Sequence, residues 1–135
     1  MPRTCSRDFQ KAAKQRFNAA EALFNADFTL DAQYIGGYVV ECSLKALILE
    51  LTAENERSET LARITSGATM HKPETLLGEL KKFGIQLPLE FARRMRRFDW
   101  STDLRYETGR CSRSETKGLL KTCTAILKWV EGQLP

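Results

Sequence analysis

The chain has 135 residues, 42% of them hydrophobic and 28% charged, which is enough for one packed core in a single domain over residues 1–135. Its net charge of +4 permits an acidic partner without requiring one. No apolar run reaches the ~18 residues of a spanning helix, and the opening "MPRTCSRDFQKAAKQRF" has no apolar stretch behind its basic residues, so the expectation is a cytoplasmic protein with no secretory signal and no membrane contact.

The first predicted element covers residues 7 to 26. Phe9, Ala13, Phe17, Ala20 and Phe24 recur on one helical face, with Ala12, Ala19 and Leu23 beside them. Thr29-Leu30-Asp31 opens a second helix, with the aspartate near its positive end. It continues through "AQYIGGYVVECSLKALILEL", where Ile35, Val39, Cys42, Ala46 and Leu49 share a face. The β-branched and aromatic residues at 34 to 40 are compatible with a strand, but helical spacing persists to Leu51. Residues 52 to 70 turn acidic, then small and polar, and predict a loop with a short turn near Leu61 to Ile64. "HKPETLLGELKKFG" has Pro73 suited to a first helical turn and Gly84 suited to a C-cap, with Leu76, Leu77, Leu80 and Phe83 as its apolar face. "PLEFARRMRRF" repeats the device with Pro88, then Leu89, Ala92, Met95 and Phe98. Ser112-x-x-Glu115 has the form of a capping box. It opens a last helix carrying Leu119, Leu120, Cys123, Ile126, Leu127, Val130 and Leu134. No stretch reads as a strand. The expected fold is all-α, an antiparallel bundle of about five helices.

Four cysteines, at 5, 42, 111 and 123, form no CxxC pair, and there is a single histidine, so neither a metal site nor any cofactor is expected. Cys42 and Cys123 read as small core residues with free thiols. His71 stands beside a proline-started helix, where a histidine more often caps or packs than acts as a base. Arg93, Arg94, Arg96 and Arg97, followed by Arg105, Arg110, Arg113, Lys117 and Lys121, form a basic stretch of the kind that meets phosphates. Glu90, Asp99, Asp103, Glu107 and Glu115 are interleaved with it and dilute its field.

Two groups of residues stand out as a candidate ligand site. On the second helix Tyr34, Tyr38, Glu41 and Lys45 are spaced four, three and four, which sets a polar and aromatic stripe along one side. Glu41 and Lys45 are in the favourable i, i+4 order. They form either a solvated surface pair or the floor of a semi-buried groove. Gly36-Gly37, which costs roughly 2 kcal/mol against alanine in a helix, suggests close approach to that backbone. The second group is the connector "RRFDWSTDLRYETGR" at 96 to 110, unusually rich in aromatic and charged residues for a loop. Asp103, Arg105 and Tyr106 are its candidates, with Trp100 and Tyr106 able to bury a ring while keeping a polar edge. Arg105 offers a planar donor fork that fits Glu41 or a phosphate.

The stretches "YIGGYVVECSLKALIL" (34–49), "HKPETLLGEL" (71–80) and "DLRYETG" (103–109), in this order, resemble the HEPN superfamily (higher eukaryotes and prokaryotes nucleotide-binding domains). The resemblance spans nearly the whole chain. It implies two long antiparallel helices with shorter ones added, and frequent homodimers. Many members of the superfamily are metal-independent ribonucleases with an Arg and a His four to six residues apart. This chain departs from that pattern: Arg63 lies eight residues before His71, and the residues at 110 to 112 after Arg105 are Arg, Cys and Ser. The resemblance then implies the non-nuclease branch, whose members bind nucleotides or partners and accompany nucleotidyltransferases in two-gene, toxin–antitoxin-like pairs. The competing expectations are a ribonuclease with an atypical site, acting on RNA, and a purely structural dimeric bundle.

Overall fold

The first helix, α1 (Ser6–Asn25), follows the 3.6-residue spacing of its apolar residues. The computed structural model describes residues 6–66, 70, 72–96 and 106–134. Phe9, Ala12, Ala13 and Ala20 are buried, and Phe17 packs against the same core from a half-buried position. Leu23 and Phe24 are half-buried and Ala19 is exposed. The helix ends in a six-residue C-cap motif: the Phe28 amide donates to Leu23 O at 2.8 Å and that of Asp27 to Phe24 O at 3.0 Å. Asp27 fills the left-handed position, φ 69°. This reversal sends the chain into α2 (Thr29–Leu51), whose 23 residues span roughly 35 Å.

α2 is the axis of the fold. From Val39 to Leu49 it is buried almost all round, with Cys42 half-buried, and its apolar residues join those of α1, α4 and α6 in one core. A helix apolar on every side needs neighbours on every side. Helices α1, α6, α4 and α3 supply them. The segment after Leu51, expected to be a loop, instead holds a 3-10 turn (Glu54–Glu56) and α3 (Arg57–Ile64). Its polar composition hid the helix, because only Thr60 and Ile64 are buried. The described residues therefore contain six α-helices and no strand.

Helix α4 (Pro73–Lys82) begins with its proline in the first turn. It closes on Gly84, φ 77°, with Ile85 N donating to Leu80 O at 3.1 Å and Gly84 N to Lys81 O at 2.9 Å. Helix α5 (Leu89–Arg96) follows Pro88, buries Met95 and half-buries Ala92, but leaves Leu89 63% exposed, contrary to its expected place on the apolar face. Helix α6 (Arg113–Gln133) starts as expected, with the Ser112 hydroxyl accepting from the Glu115 amide at 3.2 Å. It buries Leu119, Leu120, Cys123, Ile126 and Val130, with Leu134 just beyond its end.

Two sets of contacts orient the long helices. Arg7 pairs with Glu131 at 2.6 Å, and Arg113 lies 4.1 Å from the centre of the Phe24 ring, so α1 and α6 run antiparallel. Thr29 exchanges hydrogen bonds with Cys111 (2.9 and 3.1 Å), Gln33 donates to Thr116 at 3.0 Å, and Cys123 Sγ donates to Gly36 O at 3.3 Å, so α2 and α6 run parallel. The shorter helices make the return between them.

Candidate functional site

The polar stripe on α2 is held in place by the burial of the helix that carries it. Tyr34 and Tyr38, one turn apart, meet edge to face, with ring centres 5.2 Å apart and planes at 82°. Their hydroxyls are 3.0 Å apart. One turn further on, Lys45 Nζ donates to Glu41 Oε2 at 2.9 Å. This pair is buried: the side chains keep only 7% and 11% of their exposure. The solvated surface reading therefore fails; the groove with the 96–110 connector docked on it turns on residues 97–105, which lie outside the described residues. Glu41 Oε1 and the hydroxyl of Ser43, itself fully buried, have no hydrogen-bond partner among the described residues.

Such a pair is expensive. Taking an ammonium and a carboxylate out of water costs several kcal/mol each, and their attraction repays this only when the remaining lone pairs are also satisfied. Here one carboxylate oxygen is not. The seam thus combines a fixed donor, a fixed acceptor with spare capacity, and two aromatic rings bearing hydroxyls.

Gly36 is part of the same stretch. A Cβ there would lie 3.2 Å from Leu119 Cδ2 and 3.8 Å from Cys123 Sγ. At Gly36 the close neighbour that the glycines anticipated is α6.

A family model for the HEPN domain matches residues 6–133. The chain belongs to the HEPN domain family. No curated protein and no solved structure matches it significantly.

Against the HEPN expectation, Tyr34, Tyr38, Glu41 and Lys45 come together on α2 as one seam. Tyr106 is 73% exposed, so its ring is not buried as the sequence suggested. Asp103 and Arg105 lie outside the described residues, as do Trp100 and His71. What leads into α6 is nonetheless anchored. Besides the Thr29–Cys111 exchange, Arg110 and Arg113 reach Asp27 at 2.6 and 3.3 Å.

Two further ionic groups were missed. Glu79 on α4, nearly buried, pairs with Arg63 of α3 at 2.6 Å and Lys82 at 3.3 Å. Burial alone would push this carboxyl up, but the Arg63 and Lys82 hydrogen bonds and charges outweigh it and hold it below its ordinary value. The Glu79–Lys82 spacing was legible in the sequence. The Arg63 contact was not, because it joins two helices. Glu131 is held low chiefly by the Arg7 hydrogen bond, against a smaller desolvation effect, with Lys14 and Gln10 helping. Both clusters tie helices together. No group of three or more His, Cys, Asp or Glu residues suited to a metal occurs among the described residues.

Proposed function

We propose that this HEPN chain is a non-catalytic module that binds a nucleotide or a partner through the α2 seam. The carrying observation is the buried Glu41–Lys45 pair at 2.9 Å. A buried ion pair is poor at stabilising a fold, since apolar side chains of similar volume serve as well or better. Its place on the central helix, beside two tyrosines, is better explained by recognition. The non-catalytic reading rests on the sequence: the single histidine, His71, has no arginine four to six residues before it. A nucleotidyltransferase companion and a homodimer follow from the family likeness. A cytoplasmic location is supported by the free thiols of Cys111 and Cys123.

The test separates binding from stability. The double variant Glu41→Leu/Lys45→Met removes both charges and keeps the volume. It is expected to unfold in urea at the wild-type midpoint or above, while calorimetric titration with a nucleotide panel shows binding to the wild type and none to the variant. Loss of stability in the variant, with no nucleotide bound by the wild type, would make the pair a structural element only.

A further inference from the structure

We infer that the outer face of α1 and α6 docks on the phosphate backbone of a nucleic-acid duplex, at a place separate from the α2 seam. The observation behind it is a row of lysines on α6. Lys117, Lys121 and Lys128 stand at i, i+4 and i+11, within about 40° of one another around the helix and over about 16 Å of its length. All three are exposed. Around α6, Thr116 and Cys123 face α2, Leu127 and Glu131 face Gln10 and Arg7 of α1, and the lysines come next in the same rotation. They line the outer side of the α1–α6 contact. Lys14 reaches Glu131 there from α1 at 3.4 Å, and Lys11 stands exposed one turn before it.

The row serves nothing inside the fold. Lys11, Lys117, Lys121 and Lys128 have no ion-pair partner among the described residues. Like charges one turn apart on a helix repel, so Lys117 and Lys121 weaken the helix that carries them. The carboxylates on this face are Glu21 and Glu131, and Glu131 is already held by Arg7 and Lys14. Glu54, Glu56 and Glu59 stand exposed elsewhere, on the 3-10 turn and α3. This segregation concentrates positive potential on the α1–α6 face.

The chemistry of the face selects the polyanion. The large apolar side chains that stand open among the described residues are Phe28, Phe83, Leu89 and Tyr106, and none belongs to α1 or α6. A protein interface is built around aromatic and apolar anchors and is depleted in lysine. An amphipathic helix needs apolar residues to enter a bilayer. A single strand is held by stacking its bases on open aromatic rings. The face offers none of these. A duplex asks only for cations: it carries one negative charge per about 1.7 Å, and lysines that neutralise phosphates release its counterions.

The experiment is fluorescence anisotropy of the intact protein with a labelled duplex of about 20 base pairs, as DNA and as RNA, from about 50 to 200 mM salt. The logarithm of affinity is expected to fall linearly with that of salt, with a slope of about −3 to −4, and equally for two unrelated sequences. Lys117→Gln, Lys121→Gln and Lys128→Gln should each reduce the slope by about one, with unchanged thermal melts. Lys81→Gln, which removes the same charge from α4, should leave the slope as it is. Binding of both duplexes, or of one alone, supports the inference and identifies the source of the phosphates. No binding at about 50 mM salt overturns it, as does a single strand that binds more tightly than either duplex. An equal loss of slope in Lys81→Gln makes net charge the cause and also overturns it. Poly-glutamate displacing the duplex at equal charge concentration overturns it in favour of an acidic protein.

Discussion

Gly36 shows how one residue's missing side chain positions a whole helix. Its backbone carbonyl accepts from the Cys123 thiol at 3.3 Å, and the added Cβ of an alanine would meet Leu119 at 3.2 Å. Leu119 is itself packed, only 4% exposed, and has little room to yield. Gly36→Val should therefore destabilise the protein by about 1–3 kcal/mol through overpacking, despite any gain in helix propensity, as read from urea unfolding. Cys123 faces the same contact from α6. Burial pushes its thiol up to about 12. The thiolate is the reactive form, so Cys123 should resist alkylation at pH 8 in the folded protein and react once denaturant is added; mass spectrometry of the labelled peptides reads this directly. Asp27 is the third telling residue. It occupies a left-handed position usual for glycine or asparagine, and the charges of Arg110 and Arg113 hold it there.

At the scale of elements, α3 depends on ionic as well as apolar contacts. Only Thr60 and Ile64 are buried, and Arg63 links the helix to Glu79 of α4. The Glu79 carboxyl is held below its ordinary value of 4.5. A carboxyl depressed in the folded state gives stability that is present above the unfolded pKa and lost as pH falls through the folded one. Glu131, between α1 and α6, acts in the same direction. Stability should thus drop as pH falls from about 5 towards 3. Glu79→Gln should lower stability at pH 7 and flatten that acid-side loss; an unchanged pH profile would show that Glu79 contributes nothing to it. Arg63→Ala, which leaves the buried carboxylate with Lys82 alone, should cost about 1–3 kcal/mol.

At the scale of the molecule, one long central helix is wrapped by the others, and the Glu41–Lys45 end of its polar seam is inside. The outside still carries large apolar groups, with Phe28 56% and Leu89 63% exposed. Together with the family's habit, this supports a homodimer, which sedimentation velocity over about 1–100 μM should show as a concentration-dependent shift. A monomer throughout that range would remove the dimer from the account. No helix among the described residues is long and apolar enough to cross a membrane.

The sequence alone determined the helical class, the long helices, the Pro73 start, the Gly84 stop and the Ser112 cap. Each of these is a local property, written in spacing or in one residue's backbone preference within a turn or two. It also placed Tyr34, Tyr38, Glu41 and Lys45 on one stripe, because helical geometry fixes i, i+3 and i+4 neighbours whatever surrounds them. Whether that stripe lay in water or in the core was decided only by the tertiary structure. Burial depends on what α1, α4 and α6 bring against α2, and no spacing within α2 encodes it. The same holds for α3, whose polar face concealed a helix anchored by distant residues, and for Gly36, whose neighbour proved to be α6. The unpartnered oxygen of Glu41 belongs with these: a free lone pair exists only where water has been excluded, and packing across helices excludes it.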